Sequence, residues 1–427
     1  MKKNRIEEFL KLCQEQDKTA FIYKRKKKKS FAEFYDDILK MRSLYEKEIR
    51  KDGKVLVFIY PYSYLFYVAI FAAILSGIDL VILDSYKNKN HVKELLSEGN
   101  VSYALLDFYT RFLSFKLPSF VKKVQISKFK KCEKMESSYH LSSTITTFTS
   151  GTTGVPKAIV RNVDFLMQQI DCIEANLSIH DSDIVYATLP MYCLLSSFLG
   201  NTIYLSRHYK ENKKYLPTVL LTNIHKILQM KKPISSIKQC FLGGAILYSK
   251  EVEHIKQILP NAKITYVYGA SEGALIYFTT LEEYLLHPFT FSNPVEGIEA
   301  EIVHTDENGV GEIIIKGDIV LSSNHIHHTG DLGFIENKQL KIVGRKKHST
   351  VGFYNYLVDE QIRKDNPHIK RAFSFYTNNR YYCAYEGRIS HKEKKINYIH
   401  MKKLPMDSKH KTKFNYSGFI SKQRLEK

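Results

Sequence analysis

The longest apolar stretch of the chain runs from Val55 to Asp84, VLVFIYPYSYLFYVAIFAAILSGIDLVILD. Its length would suffice to cross a bilayer, but Pro61 and Gly77 divide it into three pieces. VLVFIY and DLVILD have the length and continuous apolarity of buried strands, and SYLFYVAIFAAILSG that of a buried helix. Strands that are apolar on both faces belong in a parallel sheet with helical crossovers. The chain is therefore expected to be α/β from its early part, with no transmembrane span. The pattern continues with a helix in KNHVKELLSEG, a strand in VSYALLD, a basic and irregular region around 110–140, and a β-prone STITTFTS. A helix (VDFLMQQIDCIEANL), a loop (SIHDSD) and a strand (IVYATLP) come next. A weaker helix–strand series leads to IKQCFLGGAIL and AKITYVYGASEGALIYFTT.

From about Phe291 short β-runs alternate with Asn, Asp and Gly, in IEAEIVHTDENGVGEIIIKGDIVLSS and GFIENKQLKIVGR. That is the chemistry of hairpins, so a smaller β-rich section is expected there. From GRKKHS onward the chain is polar and lysine-rich, with strand candidates RAFSFYT and RYYCAYEG, and reads as a separate C-terminal module. The N-terminal MKKNRIEEFLKLCQEQDK has no apolar core of signal-peptide type and reads as an amphipathic helix.

Charge changes this picture little. The 64 Lys and Arg against 44 Asp and Glu give a formal +20, which favours anionic partners. The lysines are spread along the whole chain, and the densest run, YKRKKKKS at Tyr23–Ser30, lies between two β-prone pieces and reads as a solvated hairpin turn. Nucleic acid is not expected as a partner; peripheral contact with an acidic membrane stays compatible with the charge. The six cysteines (Cys13, Cys132, Cys172, Cys193, Cys240 and Cys383) are scattered without a CxxC, which fits a reduced cytoplasm. His325, His327 and His328 match no common zinc spacing.

The segment with the clearest chemistry is TFTSGTTGVPKAIV, Thr147 to Val160. Gly151 and Gly154 let backbone N–H groups turn toward an anion, the hydroxyls of Thr149, Ser150, Thr152 and Thr153 add donors, and Lys157 adds a charge. It is not a Walker loop: only two residues separate the glycines, and Ala158 follows the lysine.

TSGTTGVPK resembles the signature loop of the adenylate-forming (AMP-binding) superfamily, which includes AMP-forming acyl-CoA synthetases, luciferases and peptide-synthetase adenylation domains. Five further motifs follow in the family's order: FLGGAIL (Phe241–Leu247), YGASE (Tyr268–Glu272), HTGDLGF (His328–Phe334), GRKKH (Gly344–His348) and LPMDSKHKTKFNY (Leu404–Tyr416). The resemblance implies an adenylate-forming enzyme fold. Residues 1–346 would form a large α/β N-terminal domain of mixed β-sheets with packed helices plus a β-rich section. Residues 347–427 would form a small mobile C-terminal α+β domain, turning on a hinge at Lys347. It also implies ATP, Mg²⁺ and coenzyme A as cofactors. Thr149, Ser150, Gly151, Thr152, Thr153, Gly154 and Lys157 would hold the β- and γ-phosphates. Glu272 would be the Mg²⁺ ligand, and Ser271, in place of the family's Thr, would face the α-phosphate. Tyr268 would stack on adenine, beside Gly269, Ala270 and the close backbone approach allowed by Gly243, Gly244 and Ala245. Asp331 would bind the ribose diol and Arg345 the ribose or phosphate. Lys413 would be the catalytic lysine, with Lys411 as the alternative register.

The chain departs from the family in places. Cys193 stands at the position of a gating His, Phe414-Asn415 replaces an apolar–Asp pair, and the C-terminal module is short, like that of some bacterial acyl-CoA synthetase-like proteins. The segment LPMYCLLSSFLG, with Tyr192 and Cys193 as acyl-pocket candidates, carries no charge. A cytoplasmic acid–thiol ligase acting on a fatty acid and coenzyme A is the reading this favours. Transfer to a carrier-protein pantetheine, or a non-catalytic nucleotide-binding role, are the alternatives.

Overall fold

The structure is a computed structural model that describes residues 4–14, 17–24, 27–50, 52–83, 89–136, 138–149, 157–207, 209, 214–322, 324–406, 414–416 and 419–420; for residues 89–91, 149, 157 and 274 it describes the backbone. The chain folds as two compact units that meet in sequence at Leu221 and Thr222.

The first unit confirms the strand–helix–strand reading of Val55–Asp84. Lys54–Phe58 and Leu80–Ile82 are parallel neighbours, and Tyr64–Leu75 is the helix between them. Eleven of that helix's twelve residues are buried, which explains why its sequence is apolar all round. At twelve residues it is too short to span a membrane, and no helix among the described residues is long and apolar enough to do so. The sheet runs in the order Lys122–Gln125, Val101–Leu106, Lys54–Phe58, Leu80–Ile82, Thr144–Thr149, Lys157–Asn162. Its first five strands are parallel and the last is antiparallel.

A second set of strands carries Ile184–Ala187, flanked on one side by Val219–Asn223, of which Val219–Leu221 belong to this unit, and on the other by Thr202–Leu205, then Thr19–Tyr23, all parallel. The lysine-rich run is the expected hairpin: Thr19–Tyr23 pairs antiparallel with Lys27–Ser30, and Lys29 reaches Glu33 and Asp37 at 3.3 and 3.2 Å. The N-terminal amphipathic helix, Arg5–Leu12, inserts Phe9 among Phe34, Phe71 and Phe198, with ring centroids 6.2, 4.8 and 5.3 Å away. Arg5 locks it in place by donating to Asp171 and Glu174 at 2.6 Å each.

Of the region around 110–140, the part up to residue 131 is not irregular, whereas the described residues of 132–140 carry no helix or strand. The first part holds two 3₁₀ helices, Thr110–Lys116 and Ile126–Lys131, on either side of the edge strand Lys122–Gln125. A three-residue period matches neither the helical nor the strand template, which is why its pattern looks structureless in the sequence.

In the second unit Gln239–Gly243 and Lys263–Ala270 are parallel, and Lys263–Ala270 turns into the antiparallel Ala274–Thr280. The predicted β-rich section is an antiparallel sheet of Glu299–Val303, Gly311–Lys316, Ile326–Glu336, Gln339–Arg345 and the short Thr290–Phe291. Beyond it the helix Asn355–Asp365 packs on a three-stranded sheet, Ile369–Thr377, Arg380–Gly387 and Ile396–His400. Alternation along Arg380–Gly387 fills both faces of that sheet: Cys383 and Tyr385 pack with Ile362, and Tyr382 and Ala384 pack with Leu404 and Phe419. All six cysteines are free thiols; five are buried and Cys132 is partly exposed.

Candidate active site

The site candidates of the second unit are set by strand pairing. Gly243 lies opposite Val267, where a Cβ would come within 2.7 Å of the Val267 carbonyl oxygen, and Gly244 has a φ of +85°. Only glycine fits both demands, so bare backbone lies beside the strand carrying Tyr268, Gly269 and Ala270. Ala245 is held there by its carbonyl, which accepts from the Tyr266 hydroxyl at 2.7 Å.

Asp331 lies opposite Arg345 in the next sheet. The Asp331 carboxylate accepts from Arg345 Nη1 at 2.9 Å and from the Tyr268 hydroxyl at 3.0 Å, and Arg345 also donates to the Thr329 carbonyl at 2.9 Å. Three candidates read from three separate motifs therefore meet. The Asp331 charge raises the guanidinium's proton affinity against the opposing effect of burial. Burial, reinforced by Asp331, holds the Tyr268 phenol well above its ordinary range. Tyr268 thus stays protonated and donates, and Asp331 keeps further lone pairs for a ligand. The Tyr268 ring lies 5.7 Å from Phe291.

Ser271 and Glu272 occupy the turn between Lys263–Ala270 and Ala274–Thr280. The Glu272 backbone carbonyl accepts from Leu321 N at 2.7 Å, and its carboxylate lies 3.7 Å from His327 Nε2. His327 was not singled out as a site residue in the sequence. Its one signal is its place on Ile326–Glu336, the strand that also carries Thr329 and Asp331. His328, next to it, meets Glu312 at 3.3 Å. A partly exposed carboxylate is a hard oxygen donor of the kind that binds Mg²⁺ together with phosphate oxygens, so Glu272 fits that ion.

Asn355 is a second residue not singled out in the sequence, and it has no sequence signal: fully buried, it accepts from Arg345 N at 2.7 Å and from the Ser349 hydroxyl at 3.1 Å, fixing the backbone at the end of the site strand. Lys347 follows two residues later, its ammonium 5.2 Å from the centre of the Tyr416 ring. His348 is next, between Phe373 and Tyr416. Burial, with the positive charges of Arg345 and Lys347, lowers the His348 pKa to about 3, so the ring is neutral.

In the first unit, Thr144–Thr149 and Lys157–Asn162 pair with Thr149 opposite Lys157. The glycine-rich run thus joins two paired strands at the carboxyl end of a parallel set, where ligands of α/β sheets bind. Ser150, Gly151, Thr152, Thr153 and Gly154 lie outside the described residues, as do the side chains of Thr149 and Lys157 and the whole of Lys411 and Lys413. Tyr192 is partly exposed on the helix Pro190–Phe198, whereas Cys193 is buried with its thiol 3.9 Å from the Ala187 carbonyl oxygen. Much of the neutral run around them serves the core, since Phe198 stacks on Phe71 at 4.5 Å.

Comparison with known proteins places the fold. The structure of o-succinylbenzoate CoA synthetase (MenE) from Bacillus subtilis, in complex with its acyl-adenylate intermediate, aligns with a TM-score of 0.80 at 17% identity, over 96% of this chain and 97% of that one. ATP-bound MatB from Rhodopseudomonas palustris aligns with a TM-score of 0.81 at 15% identity, over 98% of each chain. The amide bond synthetase McbA from Marinactinospora thermotolerans aligns with a TM-score of 0.80 at 12% identity, over 98% of this chain and 99% of that one. The chain thus has the adenylate-forming enzyme fold. In sequence it is 28% identical over 223 residues to VraA of Staphylococcus epidermidis, whose name carries a provisional long chain fatty acid-CoA ligase assignment; the match covers 47% of this chain and 49% of VraA. It is 27% identical over 251 residues to 4-coumarate–CoA ligase 2 of Solanum tuberosum, covering 47% of this chain and 46% of that enzyme. The chain spans about half the length of these sequence relatives. The profile of the AMP-binding enzyme family matches residues 11–323, and the chain belongs to that family.

Proposed function

We propose that the chain joins a carboxylic acid to the α-phosphate of ATP, releases pyrophosphate, and passes the acyl group to the thiol of coenzyme A with AMP as the leaving group. The observation that carries this reading is the meeting of Tyr268, Asp331 and Arg345 in one hydrogen-bonded cluster. A carboxylate held between two donors, with lone pairs to spare, suits a ribose diol, and the guanidinium beside it suits a ribose or phosphate oxygen. Glu272 is the residue to hold Mg²⁺, which when bound neutralises charge on the phosphate oxygens. Thr149 to Gly154 and Lys157 are assigned to the β- and γ-phosphates, and Lys413 to the charge that develops on the α-phosphate. The C-terminal module from residue 347, turning at Lys347, is assigned to presenting first Lys413 and then the thiol.

A fatty acid is the finer reading. The partly exposed Tyr192, the uncharged run around it and the VraA relative support it. The test is pyrophosphate release across straight-chain, aromatic and amino acids, with and without coenzyme A. Release that needs an acid, rises with chain length and yields a thioester supports the whole reading. Release with a flat profile keeps the adenylation and removes the fatty acid. An adenylate that reacts with amines or carrier protein but not with coenzyme A replaces the acceptor. No release with any acid leaves a nucleotide-binding homologue without catalysis.

A further inference from the structure

The crossover between Val101–Leu106 and Lys122–Gln125 presents an apolar ridge to solvent. Phe108, Tyr109, Phe112 and Phe115 are 65, 68, 63 and 65% exposed, and Leu113 and Phe120 are exposed beside them. Among the described residues these six are over a third of the sixteen exposed large apolar side chains and include every exposed phenylalanine. Monomeric proteins rarely leave such a concentration uncovered without a use for it.

The ridge is built, not frayed. Buried Asp107 ends the strand, and its Oδ1 accepts from Tyr109 N, Thr110 N and the Thr110 hydroxyl at 2.9, 2.7 and 3.0 Å. This fixes the start of the 3₁₀ helix Thr110–Lys116, whose far end is anchored by Leu117 and Val121 in the core below. At three residues per turn, Tyr109, Phe112 and Phe115 stack along one line of that helix. Arg111 lies over both the Phe108 and Phe112 rings, at 5.7 and 5.2 Å.

The charge along this segment has one sign. From Phe108 to Cys132 there are seven Lys or Arg and no Asp or Glu. Glu48 answers Lys122 and Lys128, at 3.5 and 2.8 Å, while Arg111, Lys123, Lys130 and Lys131 are exposed. Aromatic side chains this exposed, with cations interleaved, match the headgroup zone of an anionic bilayer: the rings enter the apolar boundary and the cations meet lipid phosphates. A peptide or single-stranded nucleic acid is instead held in a groove.

We propose that this crossover docks the protein peripherally on an anionic lipid surface through Phe108, Tyr109, Phe112 and Phe115, with Arg111 and its neighbouring lysines as the electrostatic partners. The inference is independent of which acid or thiol the enzyme uses. The chain contains no tryptophan, so Phe112→Trp makes a single reporter in the full-length protein. Its emission is expected to shift to the blue with vesicles of phosphatidylcholine containing one-third phosphatidylglycerol, and not with phosphatidylcholine alone. The parent chain is expected to sediment with the anionic vesicles at low salt and to be released by high salt. The Phe112→Ser/Phe115→Ser variant is expected to bind about tenfold more weakly with unchanged circular dichroism. If that variant does not fold, Arg111→Glu carries the same expectation.

Unchanged emission, equal binding by a folded variant, or no sedimentation overturns the proposal. So does a dimer that the variant abolishes and vesicles do not disperse, which would give the ridge to a second copy of the chain. Tighter binding of a single-stranded oligonucleotide than of vesicles also overturns it. None of these readouts involves acid activation, so their failure is distinguishable from failure of the ligase reading.

Discussion

The second unit contains the same three residue types assembled twice. In one cluster Tyr268 donates to Asp331 at 3.0 Å and Arg345 pairs with that carboxylate at 2.9 Å. In the other Tyr248 donates to Asp359 at 3.1 Å, and the Arg363 guanidinium lies 3.8 Å above the Tyr248 ring and 3.4 Å from Glu251. Asp331 is 14% exposed and Asp359 is fully buried. The first cluster is partly open, with Arg345 23% exposed beside Asp331. The second is closed by Ser374 N, which donates to Asp359 at 2.6 Å, and by Ser249, whose hydroxyl donates to Glu360 at 2.5 Å. Residue type alone does not make a site; access does. The second cluster ties the helix Ser249–Ile258 to Asn355–Asp365, and the turn proposed at Lys347 has to break it.

The sharpest break should come from Arg363→Ala. Removing one partner of a buried ionic cluster costs about 3–5 kcal/mol. Denaturant titration is expected to show that loss with the KM for ATP little changed; a selective rise in that KM would give the second cluster a ligand. Next is Asp331→Ala, which removes the acceptor at the open cluster. Acid-dependent ATP–pyrophosphate exchange should drop on the order of 100-fold, the worth of two hydrogen bonds to a charged group, while the melting temperature stays nearly constant. A large stability loss with kcat/KM intact would make both clusters structural.

The third contrast is pH. Burial pushes the Asp359 pKa up from 3.8 to about 7, although its hydrogen bonds and Arg363 oppose the change. The folded state holds a proton that the unfolded state has released, so stability falls as pH rises from 3.8 to about 7 and is level above. His348 acts in the opposite sense, because its folded-state pKa is lowered from 6.5 to about 3, and stability is lost as pH falls through that window. Melting temperatures across the range should lose the first slope in Asp359→Asn and the second in His348→Gln. If Asp359→Asn leaves the first slope in place, the aspartate is ionised in the folded protein. The smallest effects are those of Tyr248→Phe and Tyr268→Phe, each removing one hydroxyl donor worth about 1 kcal/mol. The first is expected in the melting curve and the second in ATP affinity; the reverse assignment would collapse the distinction between the clusters.

How much of this was legible in the sequence follows from the same contrast. Tyr268, Asp331 and Arg345 were readable because each sits in a short motif that resembles one of the adenylate-forming family's, and the strand–turn chemistry around them was readable from short β-runs broken by Asn, Asp and Gly. Asp359 and Arg363, four apart on a polar helix, carry the pattern of a solvated surface pair. Only the tertiary contact with Tyr248 and Glu251 buries them, and no local pattern encodes a contact across more than a hundred residues. The neutral run at Tyr192–Leu199 was ambiguous for a related reason: core and pocket both select apolar residues, and Phe198 went to the core. The ridge at Phe108–Phe115 escaped because its period is three.

The cysteines carry a practical consequence. Burial pushes the Cys172 thiol up to about 11 and those of Cys193 and Cys383 up to about 12, and raises Cys13 and Cys240 further. Thiols so protonated and enclosed are poor nucleophiles. Cys132, at the end of the 3₁₀ helix Ile126–Lys131, is the one that solvent reaches. In its folded state the unmodified chain therefore offers a maleimide dye a single point of attachment, giving a fluorescent or spin-labelled protein without a cysteine-free background.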